Sequence, residues 1–174
     1  GARLTGDGRL IVPLFAEDGG LSSLQYISET EKRYHPGGAT KSCSWTLGEV
    51  TPGPIFVAEG YATAATVHEV SGRPCVVAYS ANNLVDVVRQ AREVYGQTHE
   101  IVIVADNDES GVGRNKADQA SAKYGGRIVM PPDIGDANDY QQDGGDLAGL
   151  LFPPADDWLV HADDFSEQPD PIRW

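Results

Sequence analysis

The chain has 174 residues, of which 40% are hydrophobic and 22% charged, with a net charge of −13. That is ordinary for a globular protein and long enough for one domain with a proper core plus a small subdomain. No apolar run approaches the roughly 20 residues that span a bilayer, and no signal-peptide pattern opens the chain, so a membrane span is excluded and a cytoplasmic location expected. The first residues, Gly1-Ala2, lack a Met and the last is Trp174, so the sequence reads as a piece of a longer protein. Cys43 and Cys75 stand 32 residues apart without a CxxC or Cys/His pairing, which excludes a structural zinc site built from this chain alone and fits two reduced thiols. The acidic excess speaks against a broad basic face for nucleic acid. It is clustered, however, at Asp133, Asp136, Asp139, Asp143 and Asp146 and again after Asp156, and acid packed at one site is what a divalent cation neutralises.

In chain order, "RLIVPLF" (9–15) predicts a strand, "EDGG" (17–20) a turn and "SSLQYISE" (22–29) a second strand with alternating polarity. "EKRYHPGG" (31–38) predicts a short strand ending in a Pro-Gly-Gly turn. "TPGP" (51–54) marks a boundary, after which the pattern changes. Strand "IFVAEG" (55–60), Ala-rich helix "YATAATVHEV" (61–70) and strand "PCVVAYS" (74–80) follow. Helix "NLVDVVRQAREVYG" (83–96), strand "IVIVAD" (101–106), helix "KADQASAKYGG" (116–126) and strand "RIVMP" (127–131) complete the alternation. Continuous apolar strands separated by helices specify a parallel sheet covered on both faces, here an α/β domain with an N-terminal β-rich extension. From Pro153 the chain is acidic, contains Trp158 and Trp174, and reads as a linker.

Ligands of an open parallel sheet bind outside the carboxyl ends of its strands. Those ends carry Glu59-Gly60, Ser80 to Asn83, Asp106-Asn107-Asp108, and Pro131 to Asp139. Glu59 is either a helix-start acid or a site residue. Asp106 and Asp108 share a face if their strand runs on, and then suit a hard cation; alone, they suit a hydrated Asx turn equally well. Glu59 beside Asp106 on one sheet edge shifts the balance, because converging acids repel one another without a cation. Asp136 and Asp139 join them after the fourth strand, Asp133 fits a helix cap better, and Glu109 is left to solvent. Candidate contacts to nucleic acid or nucleotide are Lys32, Arg33, His35, Lys41, Asn83, Arg114 and Lys116, with Tyr34 placed to stack on a base. A solvated surface charge explains each basic residue better when it is taken by itself; their clustering beside the expected site is what points to binding.

Glu59-Gly60 and Asp106-Asn107-Asp108, each ending a strand of an alternating α/β chain, resemble the Toprim domain. "EGYATAATVHEVSGRPCVVAYSANNL" (59–84) and "GDANDYQ" (135–141) resemble the primases of conjugative plasmids and the primase-helicases of phages and mobile elements. Residues 10–49 resemble the segment preceding Toprim in those proteins, and 158–174 the lead-in to their RecA-like helicase domain. The resemblance implies a Rossmann-like core with a central four-stranded parallel sheet and helices on both faces, behind an antiparallel β-rich subdomain. It divides the chain into a primase-associated segment (1–52), a catalytic Toprim domain (53–152) and a linker (153–174) toward a helicase domain of the parent chain. The implied activity is Mg²⁺- or Mn²⁺-dependent primer synthesis from nucleoside triphosphates on single-stranded DNA. Glu59, Asp106 and Asp108 are the implied catalytic residues, with Asp136 and Asp139 as further metal ligands. Cellular primases often carry an Asp four residues after the Glu, where this chain has Thr63. Toprim-type phosphodiester cleavage and a non-catalytic metal-binding module that docks a helicase are the alternatives.

Overall fold

The structure, a computed structural model, describes residues 1–96 and 98–154. The linker expected beyond Pro153, with Trp158 and Trp174, lies outside the described residues except for its first two positions. Among the described residues, no helix is long and apolar enough to cross a membrane.

The N-terminal part is an antiparallel sheet in the order β1 (Arg3–Leu4), β2 (Leu10–Phe15), β3 (Leu21–Ile27) and β4 (Lys32–Tyr34). Its inner face supplies Leu10, Val12, Leu14 and Ile27 to the core of the larger unit. That unit is a five-stranded sheet ordered β5 (Trp45–Leu47), β7 (Cys75–Val77), β6 (Ile55–Ala58), β8 (Ile101–Val104) and β9 (Arg127–Val129). The four expected strands are parallel, and β5 adds an antiparallel edge against β7. A three-residue edge strand is too short to show a period, so the sequence carries little sign of it.

The central strands are fully buried because helices cover both faces. Phe56, Ala58, Val102 and Val104 pack toward α1 (Tyr61–Ser71), α4 (Ala137–Gln142) and α5 (Leu147–Leu151). Ile55, Val57, Ile101 and Ile103 pack toward α2 (Ala81–Tyr95) and α3 (Val112–Tyr124). Strand alternation thus divides one apolar run between two cores. Helix α3 begins four residues earlier than its periodicity suggests, because Asp108 accepts hydrogen bonds from the Val112 and Gly113 backbone N–H groups and caps it. Both cysteines are free and buried, and burial pushes the Cys75 thiol well up.

Polar clamps join the two sheets. Tyr79, just past β7, has a positive φ of 69°, unusual for a bulky residue. Its hydroxyl donates to the Pro13 carbonyl, while its own carbonyl accepts from the Tyr34 hydroxyl at 2.7 Å. This pair fixes β4 over the carboxyl end of the parallel sheet.

Candidate functional site

From β6 the chain crosses to β7 on one side, then returns by α2 to β8 on the other. The strand order therefore reverses between β6 and β8, and a crevice opens beyond their carboxyl ends. Ala58 pairs with Val104 at the end of that ladder. Glu59 follows directly and Asp106 two residues on, so both carboxylates emerge beyond that end of the ladder.

Asp106 is the most perturbed acid there. Its Oδ1 is buried and has no hydrogen-bond partner. Burial, followed by the charges of Glu59, Asp136 and Asp108, pushes its carboxyl up to about 7, while Lys32 pulls it down. Glu59 is also raised, chiefly by burial and then by Asp108 and Asp136, against the Ala81 N–H and Lys32. Asp108 and Asp136 thus make both Glu59 and Asp106 harder to ionise, and Glu59 does the same to Asp106, which is the electrostatic signature of a site short of positive charge.

Asp108 behaves differently. The Ser110 hydroxyl and the Gly113 N–H hold its carboxyl below the usual range. The shared-face expectation for Asp106 and Asp108 fails in its reasoning, because β8 ends at Val104 and period two stops with it. Asp108 turns to cap α3, yet its charge still reaches Glu59 and Asp106. Glu109 is exposed, as expected.

Asn107, between the two acids, docks the third acidic segment. Its backbone exchanges hydrogen bonds with Gly135 at 3.0 and 2.9 Å. Its side-chain Nδ2 donates to the carbonyls of Pro131, Pro132 and Asp133. Asp136 is thereby brought close enough for its charge to raise both Glu59 and Asp106. Asp136 also caps α4, and Asp139 closes the reciprocal capping box onto the Asp136 N–H. The alternative of a helix cap therefore falls on Asp136 and Asp139, not on Asp133. Gly113 lets α3 approach: a Cβ there would lie 2.7 Å from the Asp106 carbonyl oxygen.

Among the basic candidates, Lys32 is the one whose charge acts on both Glu59 and Asp106. Arg33, its neighbour on β4, lies 3.7 Å from Glu31. Lys41 is exposed, Lys116 is half-buried, and Arg114 lies 3.9 Å from Asp118 on its own helix. Asn83 requires a correction. It is buried, donates to the Thr40 carbonyl at 2.7 Å and accepts from the Ser42 N–H at 3.1 Å. Its amide anchors the 40–42 loop, so little is left for a nucleotide. The structure also adds Asn107, Gly113 and Tyr79, whose carbonyl accepts from the hydroxyl of Tyr34. The signal for Asn107 was its place inside the acidic motif. Thr63 is buried, and its hydroxyl has no partner.

Among the described residues, no three Asp, Glu, His or Cys side chains form a ready-made metal cage. Mg²⁺ seldom needs one, being held by one or two carboxylates together with water and substrate phosphates. The orphaned Asp106 Oδ1, with Glu59 beside it and Asp136 and Asp108 acting on both, fits that open, all-oxygen arrangement.

The Toprim domain family matches residues 54–146. Two Escherichia coli proteins called DNA primase TraC are 33% and 30% identical over 132 and 144 residues, covering 69% and 76% of this chain. The chain spans only 12% and 10% of their lengths. In fold it resembles the primase fragment of the bacteriophage T7 primase-helicase protein, with a TM-score of 0.63 at 20% identity over 87% of this chain and 66% of that one. The RNA polymerase domain of Mycobacterium tuberculosis primase DnaG gives a TM-score of 0.54 at 19% identity, over 95% and 64%. The matched span begins just before the strand that delivers Glu59, takes in Asp106 and Asp108, and ends beyond the Asp136 capping box. On that span, and on the fold that carries it, the chain belongs to the Toprim domain family.

Proposed function

We propose that this chain is the nucleotidyl-transfer core of a DNA primase, making short primers from nucleoside triphosphates on single-stranded DNA with Mg²⁺ or Mn²⁺. The observation that carries this reading is Asp106, a largely buried carboxylate whose Oδ1 lacks any partner and whose pKa is raised by neighbouring acids at the sheet's switch point. A bound divalent cation supplies charge neutralisation of the triphosphate and makes the attacking 3′-hydroxyl easier to ionise. Asp106 would hold it, with Glu59 beside it as ligand or proton acceptor and Asp136 and Asp108 adding to the negative field. Glu59, whose carboxyl is raised above its ordinary value chiefly by burial, is the candidate acceptor of the 3′-hydroxyl proton. Lys32, reaching across from β4, offsets negative charge at the same place. Asp139 is left to the α4 cap.

The catalytic unit runs over 53–152, and residues 1–52 form its template-side partner. A RecA-like helicase domain follows on the parent chain, and the protein works in the cytoplasm. Labelled ribonucleotides, single-stranded template and Mg²⁺ or Mn²⁺ test the reading in the parent protein. Oligonucleotide products support it. Shortened template identifies a nuclease instead, and metal binding with neither product identifies a docking module.

A further inference from the structure

Strand β4 is an edge strand with two different faces. Lys32 acts on the acidic crevice and Tyr34 bonds to Tyr79, so both turn inward. Arg33, between them on the strand, must then point to the opposite face. The register agrees for Arg33, since Tyr26 pairs with both Arg33 and Ile11 and shares their face, and Arg9 and His35, each one residue outside those ladders, lie beside them. There they line a pocket of about 410 Å³ together with Pro36 and the edge of Tyr34.

None of the lining residues is acidic, in a chain whose net charge is −13. Tyr26 and His35 form an aromatic pair with ring centroids 6.1 Å apart, joined by a 3.0 Å hydrogen bond between the phenol oxygen and Nδ1. Arg33 is 3.7 Å from Glu31, outside hydrogen-bond distance, and its side chain is 57% exposed. Arg9 is engaged by Asp7 through Nε and one terminal nitrogen. Exposed ion pairs of this kind hold little energy, and a guanidinium has donors to spare for a phosphate. Guanidinium groups beside an exposed His35 and a half-buried Tyr26 are a combination that can hold single-stranded nucleic acid, phosphate by charge and base by stacking.

We propose that this outer pocket is a second contact for single-stranded DNA, holding the strand on the side of β4 opposite the acidic crevice. The assignment of DNA rests on the primase reading; the pocket itself does not. A strand held there would pass over the β4 edge, with Arg33 outside and Lys32 inside.

The test is fluorescence anisotropy of the full chain with a labelled oligothymidylate of about 20 nucleotides, longer than a single such site, across a salt series. Arg33→Gln should weaken binding several-fold and reduce the slope of log K against log salt by about 0.7, the value for one phosphate contact on a single strand. Tyr26→Leu should weaken binding by roughly five- to tenfold through lost stacking and leave the slope unchanged. Melting curves of both variants check that the fold survives. No binding by the unmodified chain at low salt, or an unaltered affinity and slope in Arg33→Gln, overturns the proposal. Equal competition by thymidine monophosphate would mark a mononucleotide site and also overturn it. Loss of primer synthesis with oligonucleotide binding intact would count against the proposed reaction and leave the pocket standing.

Discussion

Asn107 and Gly135 exchange two backbone hydrogen bonds, and through that bridge the loop carrying Asp136 is held against the strand end carrying Asp106. The middle residue of the acidic motif is thus neither ligand nor spacer. It positions the third acid.

Asn107→Ala should therefore lower stability by about 1–3 kcal/mol, since three carbonyls lose their donor. Asn107→Asp should cost more than Ala, because it turns an acceptor toward those same carbonyls. Urea unfolding of the two variants checks the order; an Asp variant as stable as wild type would count against the side-chain bonds to that loop.

Asp106 links stability to pH. Its folded pKa of about 7 lies above its ordinary value of 3.8, so between these values the folded state holds a proton that the unfolded state has released. Its contribution is thus fully present at low pH and lost as pH rises toward 7. Glu59 adds the same sign, whereas Asp108, being lowered, gives the opposite trend at lower pH. Asp106→Asn should be more stable than wild type at pH 8, by an amount on the order of a few kcal/mol, with the advantage fading toward pH 4. Melting temperature against pH for both proteins is the measurement.

The same variant tests the cation. Mn²⁺ should raise the melting temperature of the wild-type protein more at pH 8 than at pH 5.5, where protons compete for Asp106 and Glu59. Asp106→Asn should remove most of that rise. An unchanged rise would place the metal elsewhere.

Glu59→Gln keeps side-chain shape and removes the charge. If the proposed reaction is right, this change should reduce nucleotidyl transfer in the parent protein by about 10²-fold or more, with the melting temperature at or above wild type. Single-turnover primer extension reads the effect.

Gly113→Ala should destabilise by about 1–3 kcal/mol, since its Cβ would press on the Asp106 carbonyl oxygen at 2.7 Å. The damage should extend to the Mn²⁺ response, because α3 and the Asp106 turn would have to separate. Melting with and without Mn²⁺ measures both effects.

Much of this was legible in the residues themselves. The runs Ile55–Ala58 and Ile101–Val104 are apolar throughout, and a strand can afford that only when helices cover both of its faces. From that inference alone, Glu59 and Asp106 had to emerge at one edge of one sheet. What the sequence could not decide was where each carboxylate turns after its strand ends. Period two constrains side chains only while the ladder continues, and β8 stops before Asp106. Beyond that point, local hydrogen bonds decide. Free N–H groups at α3 capture Asp108, those at α4 capture Asp136, and the Asp106 Oδ1 is left buried and without a partner. Asn83 shows the same limit, since its partners Thr40 and Ser42 lie more than forty positions away in the chain and meet it only through tertiary packing. Sequence by itself determined which acids converge. Tertiary structure decided which of them is already satisfied by the protein and which still lacks a partner.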